Sequence, residues 1–157
     1  MLKFKLRDLT GNSYNREQFL KQLKQYEEEG YNIYIGSDSK VTLNNVILAT
    51  VICFHKDGKT GRVFSSTTWH SVDNYKNLRS RMFLEAYSSL EWAMELEKYV
   101  SNKIEIHLDI GITKASKTSA FESELKSLIL GQGYDCKLKP HSWCASAAAD
   151  KIVNSIE

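Results

Sequence analysis

The chain has 157 residues, 42% of them hydrophobic and 25% charged, and its 21 basic and 19 acidic side chains leave a net charge of +2. That length suits one domain with a real core and is short for two, and the weak basicity permits nucleic-acid binding without arguing for it. No stretch approaches the roughly 18 apolar residues of a membrane span, and the N-terminus MLKFKLRDLT alternates charge and hydrophobe without the apolar centre of a signal peptide.

No internal repeat, low-complexity stretch or linker divides the chain, so residues 1–157 read as a single domain, with 1–30 an N-terminal extension and helix and 31–157 the core. The break Gly11-Asn12-Ser13 precedes NREQFLKQLKQYEEEG, which reads as a helix capped near Asn15. Phe19, Leu20, Leu23 and Tyr26 share one face of it, and Gly30 ends it. Strands are expected over 32–37, 46–55 and 62–68; the second, VILATVICFH, is apolar enough for burial on both faces. Asn44-Asn45 and Lys56-Asp57-Gly58 supply turns, giving an antiparallel meander.

A long helix is expected over about 75–100, capped at Asp73 or Asn74, with Leu78, Met82, Ala86, Ala93 and Leu96 as its apolar stripe. The remaining elements are a strand over 103–109, a helix over about 119–130, a short strand over 134–139 and an alanine-rich helix over about 142–156. A meander followed by strand–helix alternation predicts an α/β fold: a mixed five-stranded sheet of order 3-2-1-4-5, helices on both faces and an extra N-terminal helix. Cys53, Cys136 and Cys144 form no CxxC pair and no Cys/His metal spacing; they read as buried thiols of a reducing, cytoplasmic compartment.

The chemistry-bearing candidates are carboxylates. Asp38 follows the first meander strand in GSDSK, and Asp109 ends the fourth strand in IEIHLD. With those strands adjacent, both acids sit at the point where the sheet reverses direction, the usual place for a site in an open α/β sheet. Like charges held so close need a cation, and hard oxygen ligands suit Mg²⁺ or Mn²⁺. Glu85 lies at the edge of the long helix's buried stripe, where a carboxylate is costly unless paired. Asp150 follows Ala145-Ser146-Ala147-Ala148-Ala149, small residues that let a helix approach the sheet closely. Taken singly, each has an ordinary reading: a turn aspartate, an ion pair of Glu85 with Arg81 or Arg79, an exposed helix residue. Gly58-Lys59-Thr60 is not a phosphate-binding loop, since Cys53 stands where the motif needs glycine.

The ordered set Asp38, Glu85, Asp109 and Asp150 on this succession of elements resembles the ribonuclease H-like superfamily. GSDSK, HLDIG and KPHSWCASAAAD resemble its bacterial YkuK-type branch. The resemblance implies a divalent-metal-dependent nuclease acting on RNA, RNA–DNA hybrid or branched DNA, leaving a 3′-hydroxyl and a 5′-phosphate. It implies Asp38 bridging two ions about 3.5–4 Å apart, Glu85 and Asp109 on one and Asp150 on the other. It also implies that His141 assists proton transfer or product release. Substrate grip falls to Lys40, Lys114 and Lys117, with Lys76, Arg79 and Arg81, because 100–103 leaves no room for a basic protrusion. The rivals are a ribonuclease H-like binding module that has lost catalysis and a strand transferase using the same ions.

Overall fold

The structure is a computed structural model and describes residues 2–110 and 121–156. Local chemistry sets the first helix as expected. Asn15 caps α1 (Arg16–Glu28) by accepting the Gln18 N–H, and the Gln18 side chain returns the bond to the Asn15 N–H. Phe19 and Leu23 are its buried residues. The meander follows as β3 (Asn32–Val41), β4 (Asn45–His55) and β5 (Arg62–Ser71). Nine consecutive residues of β4, Val46 to Phe54, are buried, as a central strand covered on both faces requires.

The long helix is shorter than the pattern suggested. α2 runs Leu78–Leu96, and its cap is Asn77, whose side chain accepts the Ser80 N–H. Asp73 and Asn74 instead lie in a 3₁₀ turn, Val72–Asn74. β6 (Ile104–His107), α3 (Glu122–Gly131) and β7 (Asp135–Lys137) follow. The alanine-rich segment is not one α-helix: Cys144–Ala149 forms a π-turn, and α4 is only Asp150–Asn154.

The expected five-stranded sheet is corrected in strand count and full order. Seven strands run β2-β1-β5-β4-β3-β6-β7, within which the expected strands follow one another as β5-β4-β3-β6-β7. The additions, β1 (Leu6–Asp8) and β2 (Ser13–Tyr14), are three and two residues long, too short for an alternation pattern to register. β1 pairs antiparallel with β5 at Arg7 and Asp8, so the N-terminus extends the sheet.

Helices cover both faces. On one, Ile33, Ile35, Ile52, Phe54, Phe64 and Ile106 pack with residues of α1, α2 and α3. Phe19 meets Phe64 edge-on at 5.2 Å, and Tyr26 stacks on Phe54 at 4.8 Å. On the other face the π-turn and α4 set Cys144, Ala149 and Val153 against Ile47, Ala49, Val51 and Cys53. Cys53 and Cys144 are buried free thiols, whereas Cys136 is only partly covered. Among the described residues, no helix is long and apolar enough to cross a membrane.

Candidate active site

β3 positions the first acid, though not as the pattern suggested. Asp38 lies inside the strand, paired with Ala49 of β4, rather than in a turn beyond it. On its other side β3 pairs in parallel with β6 only from Ile33 to Gly36. Past Gly36 the β6 ladder ends, and Asp109 and Asp38 follow the ends of the two paired segments. Side-chain alternation puts Tyr34, Gly36 and Asp38 on the face of the π-turn, and Ser37 and Ser39 on the face of α2.

Glu85 comes in from α2 and is only 5% exposed. Three hydrogen bonds fix that helix turn to the sheet: Ser39 Oγ to Glu85 Oε2 at 2.5 Å, Ser37 to Ser89 at 2.7 Å, and Thr50 to Ser88 at 2.6 Å. Ser37 and Thr50 also bond each other at 2.8 Å. Arg79 stands apart, paired with Glu124 and stacked over Phe83, and Arg81 donates to the Tyr75 carbonyl. The ion pair with Glu85 that was the ordinary alternative does not form.

The fourth acid depends on a glycine. A Cβ on Gly36 would come within 2.5 Å of the Ala145 nitrogen and 2.6 Å of the Cys144 carbonyl carbon, so only glycine lets the π-turn descend onto β3. His107 ties down the same segment. Its Nδ1 accepts the Cys144 N–H at 3.1 Å, which leaves Nε2 to donate to Glu105 at 2.8 Å. Burial pushes the His107 pKa down despite Glu105, which keeps the ring neutral as that acceptor role requires. The segment delivers Asp150 beside Asp38. Asp150 is exposed and accepts from Asn154 at 2.9 Å.

Electrostatics joins the four acids. Burial, the adjacent Asp150 and the charge of Asp109 push the Asp38 carboxyl up to about 7, against a lowering bond from the Ser39 N–H. Burial and then the charges of Asp38 and Asp109 push Glu85 well above its ordinary range. Among the described residues, no three Asp, Glu, His or Cys side chains converge tightly enough to chelate an ion as they stand. Uncompensated carboxylates repel, and one has another partner: Lys139 Nζ stands 3.0 Å from Asp109 Oδ1. Asp109 Oδ1 is itself buried, and among the described residues that ammonium is its partner. Two acids reluctant to ionise and an all-oxygen donor set fit a hard divalent cation.

His141 is exposed, and its backbone N–H donates to the Leu138 carbonyl. Lys40 donates to the Ile156 carbonyl. Lys114 and Lys117 lie outside the described residues. Lys139, missed in the sequence, gave no periodic signal; its link to Asp109 depends on a loop whose Lys139 N–H bonds the Ile110 carbonyl.

A mixed sheet with acids at the end of its parallel central pair defines an α/β domain of one recognisable class. The family model described as "Ribonuclease H-like" matches residues 16–154, and the chain belongs to that family. It is similar to the protein called "Uncharacterized protein YkuK" of Bacillus subtilis (strain 168), with 28% identity over 78% of each chain. No solved structure gives a significant match. Membership suggests nucleic-acid binding or nuclease activity.

Proposed function

We propose that the chain is a divalent-metal-dependent nuclease that hydrolyses phosphodiester bonds in RNA, RNA–DNA hybrid or structured DNA. The observation that carries this reading is the grouping of Asp38, Asp109 and Asp150 with a buried Glu85 where the β3–β6 pairing ends, a company that pushes the Asp38 carboxyl up to about 7. Folding acids together against their own repulsion is costly unless a cation repays it.

Asp38 would hold both of two ions, Glu85 and Asp109 one of them, and Asp150 the other. Mg²⁺ or Mn²⁺, when bound, supplies Lewis acidity to the phosphodiester oxygens and lowers the pKa of an attacking water. The chain's own part is positional. Ser39 holds Glu85 by one carboxylate oxygen. His107 and Gly36 hold the segment that presents Asp150. Lys139, about half exposed at the edge of the site, sets its ammonium where a substrate phosphate would lie against it.

Two observations favour the second reading, a binding module without catalysis: Lys139 pairs with Asp109, and the described acids do not converge on a single point. A cleavage panel of RNA, hybrid, single-stranded and branched DNA with Mg²⁺ or Mn²⁺ separates the two. The nuclease reading expects cut products from at least one substrate, lost with EDTA and lost in Asp38→Asn. Binding without cleavage across the panel would leave only the module.

A further inference from the structure

The alternation in MLKFKLR becomes a face in the structure. Phe4 packs edge-on against Trp92 at 5.2 Å and Leu6 is fully buried, which turns Lys3, Lys5 and Arg7 outward. Across from them Trp69 of β5 is 55% exposed, a large apolar surface left in water. Lys5, Arg7, Thr67 and Trp69 line a groove of about 460 Å³ closed on its far side by Ile152 and Ile156. Asp8 is the acid at its rim, but Thr10, Asn12, Tyr14 and Arg62 all engage its carboxylate. Among the described residues, Lys5 and Arg7 make no ion pair, so the described lining carries uncompensated positive charge.

The groove shares a sheet face with Asp38. Thr67 pairs with Ala49, which pairs with Asp38, and Trp69 pairs with Ile47, which pairs with Lys40. Two strand spacings are about 10 Å, and α4 forms the ridge between, packed on Ile47 and Ala49. An exposed indole beside cations recognises an unpaired base with its phosphates, since stacking needs a base face that a duplex keeps covered.

We propose that this groove binds the single-stranded nucleic acid flanking the bond to be cut, with Trp69 stacking on a base and Lys5 and Arg7 against phosphates. It rests on the nuclease reading for its place relative to the scissile bond, but its binding can be measured without cleavage.

The test is fluorescence anisotropy in EDTA with a labelled 12-nucleotide RNA, the DNA of the same sequence, and the duplex of each. The intact chain should prefer single strands. Trp69→Ala should weaken that binding by about 5- to 100-fold, with Trp69→Phe recovering much of it. Lys5→Gln with Arg7→Gln should flatten the logarithmic salt dependence by roughly 1.4, the value for two phosphates of a single strand. Substitution at this exposed Trp69 should leave the thermal midpoint nearly unchanged. The groove is overturned if the chain binds no single strand, if duplex binds tighter, or if these variants bind as the parent does. The last result together with self-association of the Lys5/Arg7 variant would assign those charges to keeping copies of the chain apart instead. Weakened binding in Trp69→Ala with no cleavage by the parent keeps the groove and removes the nuclease. Cleavage by the parent with unaltered Trp69→Ala binding does the reverse.

Discussion

Asp38 holds its proton in the folded state to about pH 7 and in the unfolded chain only to about its ordinary 3.8. Between those values the folded state binds more protons, so stability falls as pH rises and levels off above 7. The full effect is on the order of 4 kcal/mol, shared with the neighbouring acids. In EDTA, the thermal midpoint should therefore drop from pH 5.5 to 8, Mn²⁺ should reverse the drop, and Asp38→Asn should flatten it. An unchanged slope in that variant would contradict the clustering. A cation must also displace the Asp38 proton, so Mn²⁺ affinity measured by calorimetry should rise with pH and level off near 7. Lys139→Ala removes a competing positive charge from Asp109, and Mn²⁺ affinity should increase about two- to fivefold for so exposed a pair. Period made the burial of Glu85 on α2 legible, and strand order the nearness of Asp38 to the end of β6, though Asp38 lies inside β3 rather than past it; the Lys139 contact depends on a loop path that no period encodes.

Among the elements, the π-turn carries the greatest consequence for the site. Gly36→Ala forces a methyl group into the Cys144–Ala145 backbone, an overpacking that should cost about 1–3 kcal/mol in urea denaturation. Because Asp150 rides on that segment, the same variant should bind Mn²⁺ more weakly even where it remains folded. Retained affinity would detach Asp150 from the site. The alanine run signalled close approach to the sheet, and the approach is there. It could not signal the π geometry, because alanine favours any helical backbone and the wider turn comes from contacts with β3 and His107. The α2 start shows a similar limit. Asp73, Asn74 and Asn77 are all cap residues, and only Asn77 meets a free N–H of the helix.

For the whole molecule, the sheet's extension by the N-terminus matters most. Leu6 is fully buried with Phe19 and Phe64, so Leu6→Ala should cost about 2–5 kcal/mol, read from chemical denaturation. Deleting residues 1–15 should cost more and promote self-association, since it bares the edge of β5. A truncated chain as stable as the parent would make β1 and β2 dispensable. The central strands and their neighbours were readable from apolar runs and turn residues. The β1–β5 pair was not, because its partners lie more than fifty residues apart and only tertiary packing selects them.

The hydroxyl seam between α2 and the sheet has one more consequence. The bonds among Ser37, Thr50, Ser88 and Ser89 pin the helix without touching Glu85, and the Ser39 hydroxyl, which can both donate and accept, can reverse its bond to Glu85 without moving an atom heavier than hydrogen. Glu85 can therefore gain or lose a proton while the helix carrying it stays at the same height above β3. An arginine clamp would have bound it to one charge state; this seam separates the acid's address from its ionisation.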